Sequence, residues 1–156
     1  MVKIRVSRVM KASQDAVWDK LADVEGWPSW APSESKYRVL SHPIVEREGN
    51  NVVVCDEEEQ AWFVKSHHRD RYTLTPKEKL TEVIVLGDFK GGIELRLSKG
   101  PGGTLVQVYA DISPKKPLAR FLGFFIGSRL LTKFWIELLE QLEKSASEEA
   151  ASGQST

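Results

Sequence analysis

The chain has 156 residues, 22 basic and 22 acidic side chains and a formal net charge of zero with histidine neutral. That balance supplies no long-range field to gather nucleic acid or an anionic membrane, and the length suits one domain able to hide roughly 70% of its unfolded surface. A single cysteine, Cys55, rules out an internal disulfide, and no CxxC or Cys/His set stands at structural-zinc spacing. A cytoplasmic protein is expected.

The first six residues alternate polar and apolar side chains and lack the apolar core of a secretory signal. Ile4 and Val6 predict a first strand. Ser13 then occupies an N-cap position with Asp15 in the following turn, and Trp18, Leu21 and Ala22 share one helical face. Gly26, Pro28 and Pro32 end that helix and recast the chain as a second short one.

From residue 36 to 113 the pattern becomes strand-like. Turn signals at Glu48-Gly49-Asn50-Asn51, Pro76-Lys77-Glu78-Lys79, Gly87-Asp88 with Gly91-Gly92, and Gly100-Pro101-Gly102-Gly103 divide it. Strands are predicted near 37–47, 51–58, 63–75, 82–86, 93–99 and 104–113. Pro114 and Pro117 close this region, and apolar residues return to helical spacing from Leu118 to near Lys144. The helical stretch carries Arg120, Arg129, Lys133, Glu137 and Glu140, whereas a spanning helix needs about 20 nearly uncharged residues. No transmembrane segment is expected. Residues 148–156 are small and polar, a composition that predicts a disordered tail after one domain over 1–147.

A strand, two short helices, further antiparallel strands and a long C-terminal helix make an α+β protein. Ala16-Val17-Trp18 through Trp27-Pro28-Ser29-Trp30, Gly87-Asp88-Phe89 and Gly103-Thr104-Leu105-Val106 carry a resemblance to the START-like helix-grip (SRPBCC) superfamily. The resemblance covers residues 2–144 and is to its polyketide cyclase/dehydrase and coenzyme-Q-binding or lipid-transport branch. It implies a curved antiparallel sheet of about seven strands wrapped around the long helix, with two short helices between strands one and two. It also implies a cavity between sheet and helix that binds or transports a hydrophobic small molecule: a lipid, a quinone or a polyketide-like compound. A cyclase or aromatase using acid-base groups in the same cavity is the alternative, and a protein-interaction accessory module is a third reading.

Strand alternation nominates the cavity walls. Ile93, Leu95 and Leu97 share one face, and Val106, Val108 and Ala110 share another. From the helix, Phe121, Leu122 and Phe125 join them, because it has more apolar positions than one core stripe needs. Gly123 and Gly127 remove bulk on one helical face, for room at a pocket mouth or for close packing on a neighbour. On the strand around residue 68, His68, Asp70 and Tyr72 share a face and form the best polar cluster. Tyr72 is a ligand-orienting candidate, and all three are acid-base candidates if that face is inward; a bulge would exchange the faces.

His67 and His68 point to opposite faces of a strand, so no metal site is expected. Asp56-Glu57-Glu58-Glu59 and the basic run after it are placed to pair across a hairpin as a solvated ladder. Trp18, Trp27 and Trp30 read as a plug at one end of the fold. No nucleotide-binding glycine loop, nucleophile elbow or cofactor motif occurs, so no cofactor is expected. Nucleic acid is not an expected partner; transient membrane-surface contact, a homodimer and a protein partner stay open.

Overall fold

The computed structural model describes residues 2–115 and 117–153, and of residues 117–126 the backbone alone. Strand β1 (Val2–Met10) buries Val2, Ile4 and Met10 and leaves Lys3 and Arg5 in water. Helix α1 (Gln14–Ala22) begins at Ser13, whose Oγ accepts the amide hydrogen of Ala16 at 3.2 Å, satisfying one of the orphan donors of the first turn. A short 3-10 helix, Val24–Ser29, follows and buries Val24 and Trp27.

Strands β2 (Tyr37–Ser41), β3 (Ile44–Glu48), β4 (Val52–Ala61), β5 (Val64–Thr75), β6 (Lys79–Gly87), β7 (Phe89–Gly100) and β8 (Gly103–Pro114) complete an antiparallel sheet with β1. The order is β1-β8-β7-β6-β5-β4-β2, and β3 also pairs with β4. The eighth strand arises because the stretch read as one strand over 37–47 breaks at His42 and Pro43. Proline has no amide hydrogen to give a ladder. Its carbonyl accepts from Asp56 at 3.1 Å while β2 and β3 each continue along β4.

Two glycines set the path of β7 and β8. Gly102, at φ +72°, follows Pro101 in the tight turn where Gly100 opposes Gly103, the proline-glycine chemistry of a type II turn. Gly91, at φ +115°, passes so close to β8 that a Cβ would lie 1.9 Å from the Asp111 carbonyl oxygen.

Helix α2 (Pro117–Gly153) lays Phe134, Trp135, Leu138, Leu139, Leu142 and Ala146 into the core, a helical stripe at steps of three and four. Arg8 of β1 grips it through Glu143 at 2.6 Å and Glu140 at 3.7 Å, and Lys20 of α1 pairs with Glu149 at 3.1 Å. The helix therefore runs beyond residue 147, through six residues assigned from composition to a disordered tail. Glu148, Glu149, Ala150 and Ala151 favour a helix, and the Lys20 pair docks the end. Residues 154–156 lie outside the described part. A Cβ at Gly127 would meet Val2 Cγ2 at 4.0 Å, ordinary van der Waals contact; Gly123 lies among the residues without described side chains. No helix of the described residues is long and apolar enough to cross a membrane.

Candidate active site

The inner face of the sheet is apolar in one half and ionisable in the other. In the apolar half, Ile93, Leu95 and Leu97 of β7 and Val106, Val108 and Ala110 of β8 are buried in one core with Leu138 and Leu139 of α2. These six nominated wall residues do share the inner face. Phe121, Leu122 and Phe125 lie among the residues whose side chains are outside the description.

Across β4, β5 and β6 the inward positions become Glu57 and Glu59, then His68, Asp70 and Tyr72, then Glu82. His42 joins them from the link between β2 and β3. The structure thus brings His68, Asp70 and Tyr72 to the inner face. The register explains why their alternation holds: β4 and β5 pair without a break from Val52–Thr73 to Ala61–Val64, placing Glu57 opposite His68. The irregularity beside Asp70 is on the β6 side, where Arg69 opposes Leu86 and Asp70 opposes Ile84.

His42 Nδ1 donates to the Val24 carbonyl at 2.6 Å. A carbonyl can only accept, so a neutral His42 carries its proton on Nδ1 and offers Nε2 as an acceptor. The Tyr72 hydroxyl donates to that Nε2 at 2.9 Å. Glu57 Oε2 stands 3.3 Å from the same nitrogen, 3.4 Å from the Tyr72 hydroxyl and 3.8 Å from His68 Nε2. His68 Nε2 is also 3.1 Å from Asp70 Oδ2, an ion-pair distance without the angles of a hydrogen bond. Among the described residues, both Asp70 carboxylate oxygens and His68 Nδ1 are buried without a hydrogen-bond partner. Glu59 accepts from the Ser66 hydroxyl at 2.8 Å.

Four carboxylates meet two imidazoles here, and no lysine or arginine is buried among the described residues. Burial of an uncompensated charge is costly, so the groups hold or lose protons to suit the medium. Burial pushes Glu57 up to about 8 and raises Glu59 as well. Glu82 stands well above the usual carboxylate range, through burial and then the charge of Asp70. Burial also lowers His42, raises the Tyr72 phenol and lifts the Cys55 thiol to about 12. At His68 burial favours the neutral ring, but Asp70, Glu57 and Glu59 together outweigh it and raise the imidazole to about 9. Near neutral pH the cluster therefore holds a protonated glutamic acid, an imidazolium and a neutral imidazole within a few ångströms. Titratable groups whose surroundings push them apart in this way are the arrangement used for acid-base work.

Trp27 covers this half. Its indole Nε1 donates to the Leu21 carbonyl at 3.0 Å, and its ring lies 5.5 Å from His42 and 5.8 Å from Tyr72 between centroids. Of the three tryptophans read as a plug, Trp18 and Trp27 are buried and Trp30 is partly buried against the same core.

The acidic run proves to be two features. Asp56 and Glu58 face outward, where Arg69 grips Asp56 at 2.6 and 2.9 Å and Lys65 meets Glu58 at 3.1 Å. Glu57 and Glu59, the alternate residues, face inward, contrary to the reading of the whole run as a solvated ladder. Sequence reasoning also passed over His42 and Glu82. The period-two rule applied inside the acidic run would have exposed Glu57 and Glu59.

Two depressions open among the described residues. The larger, of about 540 Å³, is lined by Arg5, Glu82, Glu94, Tyr109 and Asp111 among others; the other, of about 310 Å³, by Asp56, Glu57, Glu58, His67, His68 and Arg69 among others, and so borders two residues of the cluster. Alternation places Arg5, Glu94, Tyr109, Asp111, Asp56, Glu58, His67 and Arg69 on the outer face.

Comparison with known proteins gives a consistent picture. A family model described as polyketide cyclase / dehydrase and lipid transport matches residues 1–146. TTHA0849 from Thermus thermophilus superposes with a TM-score of 0.82 at 19% identity, over 94% of this chain and 98% of that one. The ZhuI aromatase/cyclase from Streptomyces sp. R1128 gives 0.77 at 14% identity, over 95% and 94%. A START superfamily protein from Mycobacterium smegmatis gives 0.72 at 18% identity, over 94% and 97%. At these identities the likeness is one of fold, the helix-grip arrangement expected from the sequence. No curated protein matches the sequence.

Proposed function

The chain belongs to the polyketide cyclase / dehydrase and lipid transport family, and from that premise we propose that it performs acid-base chemistry, of the cyclase or dehydrase kind, on a largely apolar small molecule bearing carbonyl or hydroxyl groups. The observation that carries this reading is the division of the inner sheet face. Leu95, Val106 and Val108 offer apolar burial to a carbon skeleton, and the His42, Glu57, His68, Asp70 and Tyr72 cluster lies beside them on the same face.

Glu57 and His68 retain slight exposure, whereas Asp70 and Tyr72 have none. A ligand oxygen therefore reaches Glu57 and His68 first. The protonated Glu57 carboxyl donates to a carbonyl under attack or to a departing hydroxyl, and the His68 imidazolium stabilises negative charge as it develops on oxygen. Asp70 orients His68. Tyr72 and the tautomer-locked His42 stand behind Glu57 and hold its carboxyl in place. Loss of a hydroxyl as water then balances: Glu57 gives its proton to the leaving oxygen, and the carboxylate so formed takes the proton lost from the adjacent carbon.

A second reading, carriage of an apolar ligand without reaction, draws on the apolar half of the face. Extraction of the small molecules that copurify with wild-type and Glu57→Gln proteins from the native host separates the two. The enzyme reading predicts that the variant holds a precursor related to the wild-type product by cyclisation or by one water. Identical compounds in both would overturn it in favour of the carrier.

A further inference from the structure

We propose that His42, Glu57, His68 and Asp70 form a binding site for one divalent first-row transition-metal ion. The inference goes beyond the acid-base reading and does not need it. Spacing along the chain gives no hint of such a site, because the four donors come from the β2–β3 link, β4 and two alternate positions of β5.

Three observations meet here. Donor separations are the first. His42 Nε2 is 3.3 Å from a Glu57 oxygen, His68 Nε2 is 3.1 Å from an Asp70 oxygen and 3.8 Å from Glu57. Ligand atoms of His42, Glu57 and Asp70 lie within 4.8 Å of one another, as do those of Glu57, Glu59 and His68. Nitrogen and oxygen donors at about 2.0–2.1 Å from a tetrahedral ion stand about 3.4 Å apart, close to the spacing of these three pairs.

The second is the orientation of the histidine. His42 Nδ1 is committed to the Val24 carbonyl, which turns the Nε2 lone pair toward the carboxylates. A backbone carbonyl on the far nitrogen is the usual support of a metal-bound imidazole. The Tyr72 hydroxyl, which now donates to Nε2, has Glu57 Oε2 at 3.4 Å as its alternative acceptor.

The third is an unmet demand. Asp70 is fully buried, and neither of its oxygens has a hydrogen bond. The His68 ring at 3.1 Å meets its charge and not its lone pairs; a buried carboxylate without hydrogen bonds is costly, and a cation placed between Asp70, His68 and Glu57 answers that. Two imidazoles with two carboxylates suit zinc, cobalt, iron(II) or manganese; the absence of a thiolate and the two nitrogen donors disfavour copper(I), calcium and magnesium.

The test uses the full chain without an affinity tag, stripped with chelator and dialysed against cobalt(II) or zinc. The structure predicts one equivalent bound per chain, and a cobalt(II) absorption spectrum of low coordination number. His68→Gln and Asp70→Asn should each weaken binding at least about tenfold, while Glu82→Gln, a buried neighbour outside the donor set, should bind like wild type. Circular dichroism of each variant establishes that it is folded. Should a variant not fold, His42→Gln replaces it. Absence of stoichiometric binding by the folded wild-type chain would overturn the proposal, as would binding that persists unchanged in the folded donor variants.

Discussion

The His42 imidazole and the Tyr72 ring meet edge to face at 80°, 5.2 Å between centroids, with the Tyr72 hydroxyl 2.9 Å from His42 Nε2. The contact joins the β2–β3 link to the middle of β5 and fixes the proton of a buried histidine. Tyr72→Phe keeps the ring packing and removes only the hydroxyl. Leaving the His42 acceptor with Glu57 as its remaining donor should cost about 1–3 kcal/mol, read from urea denaturation. The fold should persist, and the proposed turnover should fall through loss of the hydroxyl that holds the Glu57 carboxyl.

Stability should also depend on pH in a direction opposite to that of ordinary surface carboxylates. Glu57 is raised from an ordinary 4.5 to about 8 and His68 from 6.5 to about 9. Each group binds its proton more tightly in the folded chain. The stability from Glu57 is therefore complete below about 4.5 and is lost as pH rises through 8; that from His68 is complete below 6.5 and is lost through 9. The denaturation midpoint of metal-free protein, measured with chelator present, should fall between about pH 5 and 9. Glu57→Gln should flatten the part of that decline below about pH 8, and an unchanged slope in the variant would contradict the assignment.

Core and tip positions should respond very differently to truncation. Leu139 is almost fully buried between α2 and the sheet, and Leu139→Ala should cost about 2–5 kcal/mol. Phe63, at the β4–β5 tip, is 86% exposed, and Phe63→Ser should stay within about 0.5 kcal/mol of wild type. Paired thermal and urea melts make the comparison.

The sequence reading was strongest where one rule governed a long stretch. Alternation along 68–74 placed His68, Asp70 and Tyr72 together, and the same rule put Leu95, Val106 and Val108 on the inner face. It was weakest where a local rule met a competing one. The charges of Asp56 to Glu59 suggested water, yet strand geometry sends every second residue inward. His42 belongs to a break beside Pro43 and has no periodic neighbour to advertise it; only the fold, which brings Val24 and Tyr72 to its two nitrogens, gives it a role. Glu82 lies alone between apolar residues of β6, where a single acid carries no pattern. At the C-terminus, low apolarity concealed the helix that Glu149 and Lys20 anchor.

The two glycines of the β7–β8 hairpin should be unequal. Gly91→Ala places a methyl against the Asp111 carbonyl and should destabilise by more than about 3 kcal/mol, because backbone must shift. Gly102→Ala meets nothing within 4 Å and suffers only its positive φ, for about 1–2 kcal/mol. Equal effects in chemical denaturation would contradict this difference between the two positions.

A buried proton-holding cluster is the centre of this structure, and side-chain nitrogen NMR of the metal-free protein across about pH 5 to 10 addresses it most directly. The geometry predicts that His42 stays neutral with its proton on Nδ1 to below its ordinary 6.5, while His68 remains an imidazolium until about pH 9. Titration of both rings together near about 6.5, as for imidazole in water, would contradict it.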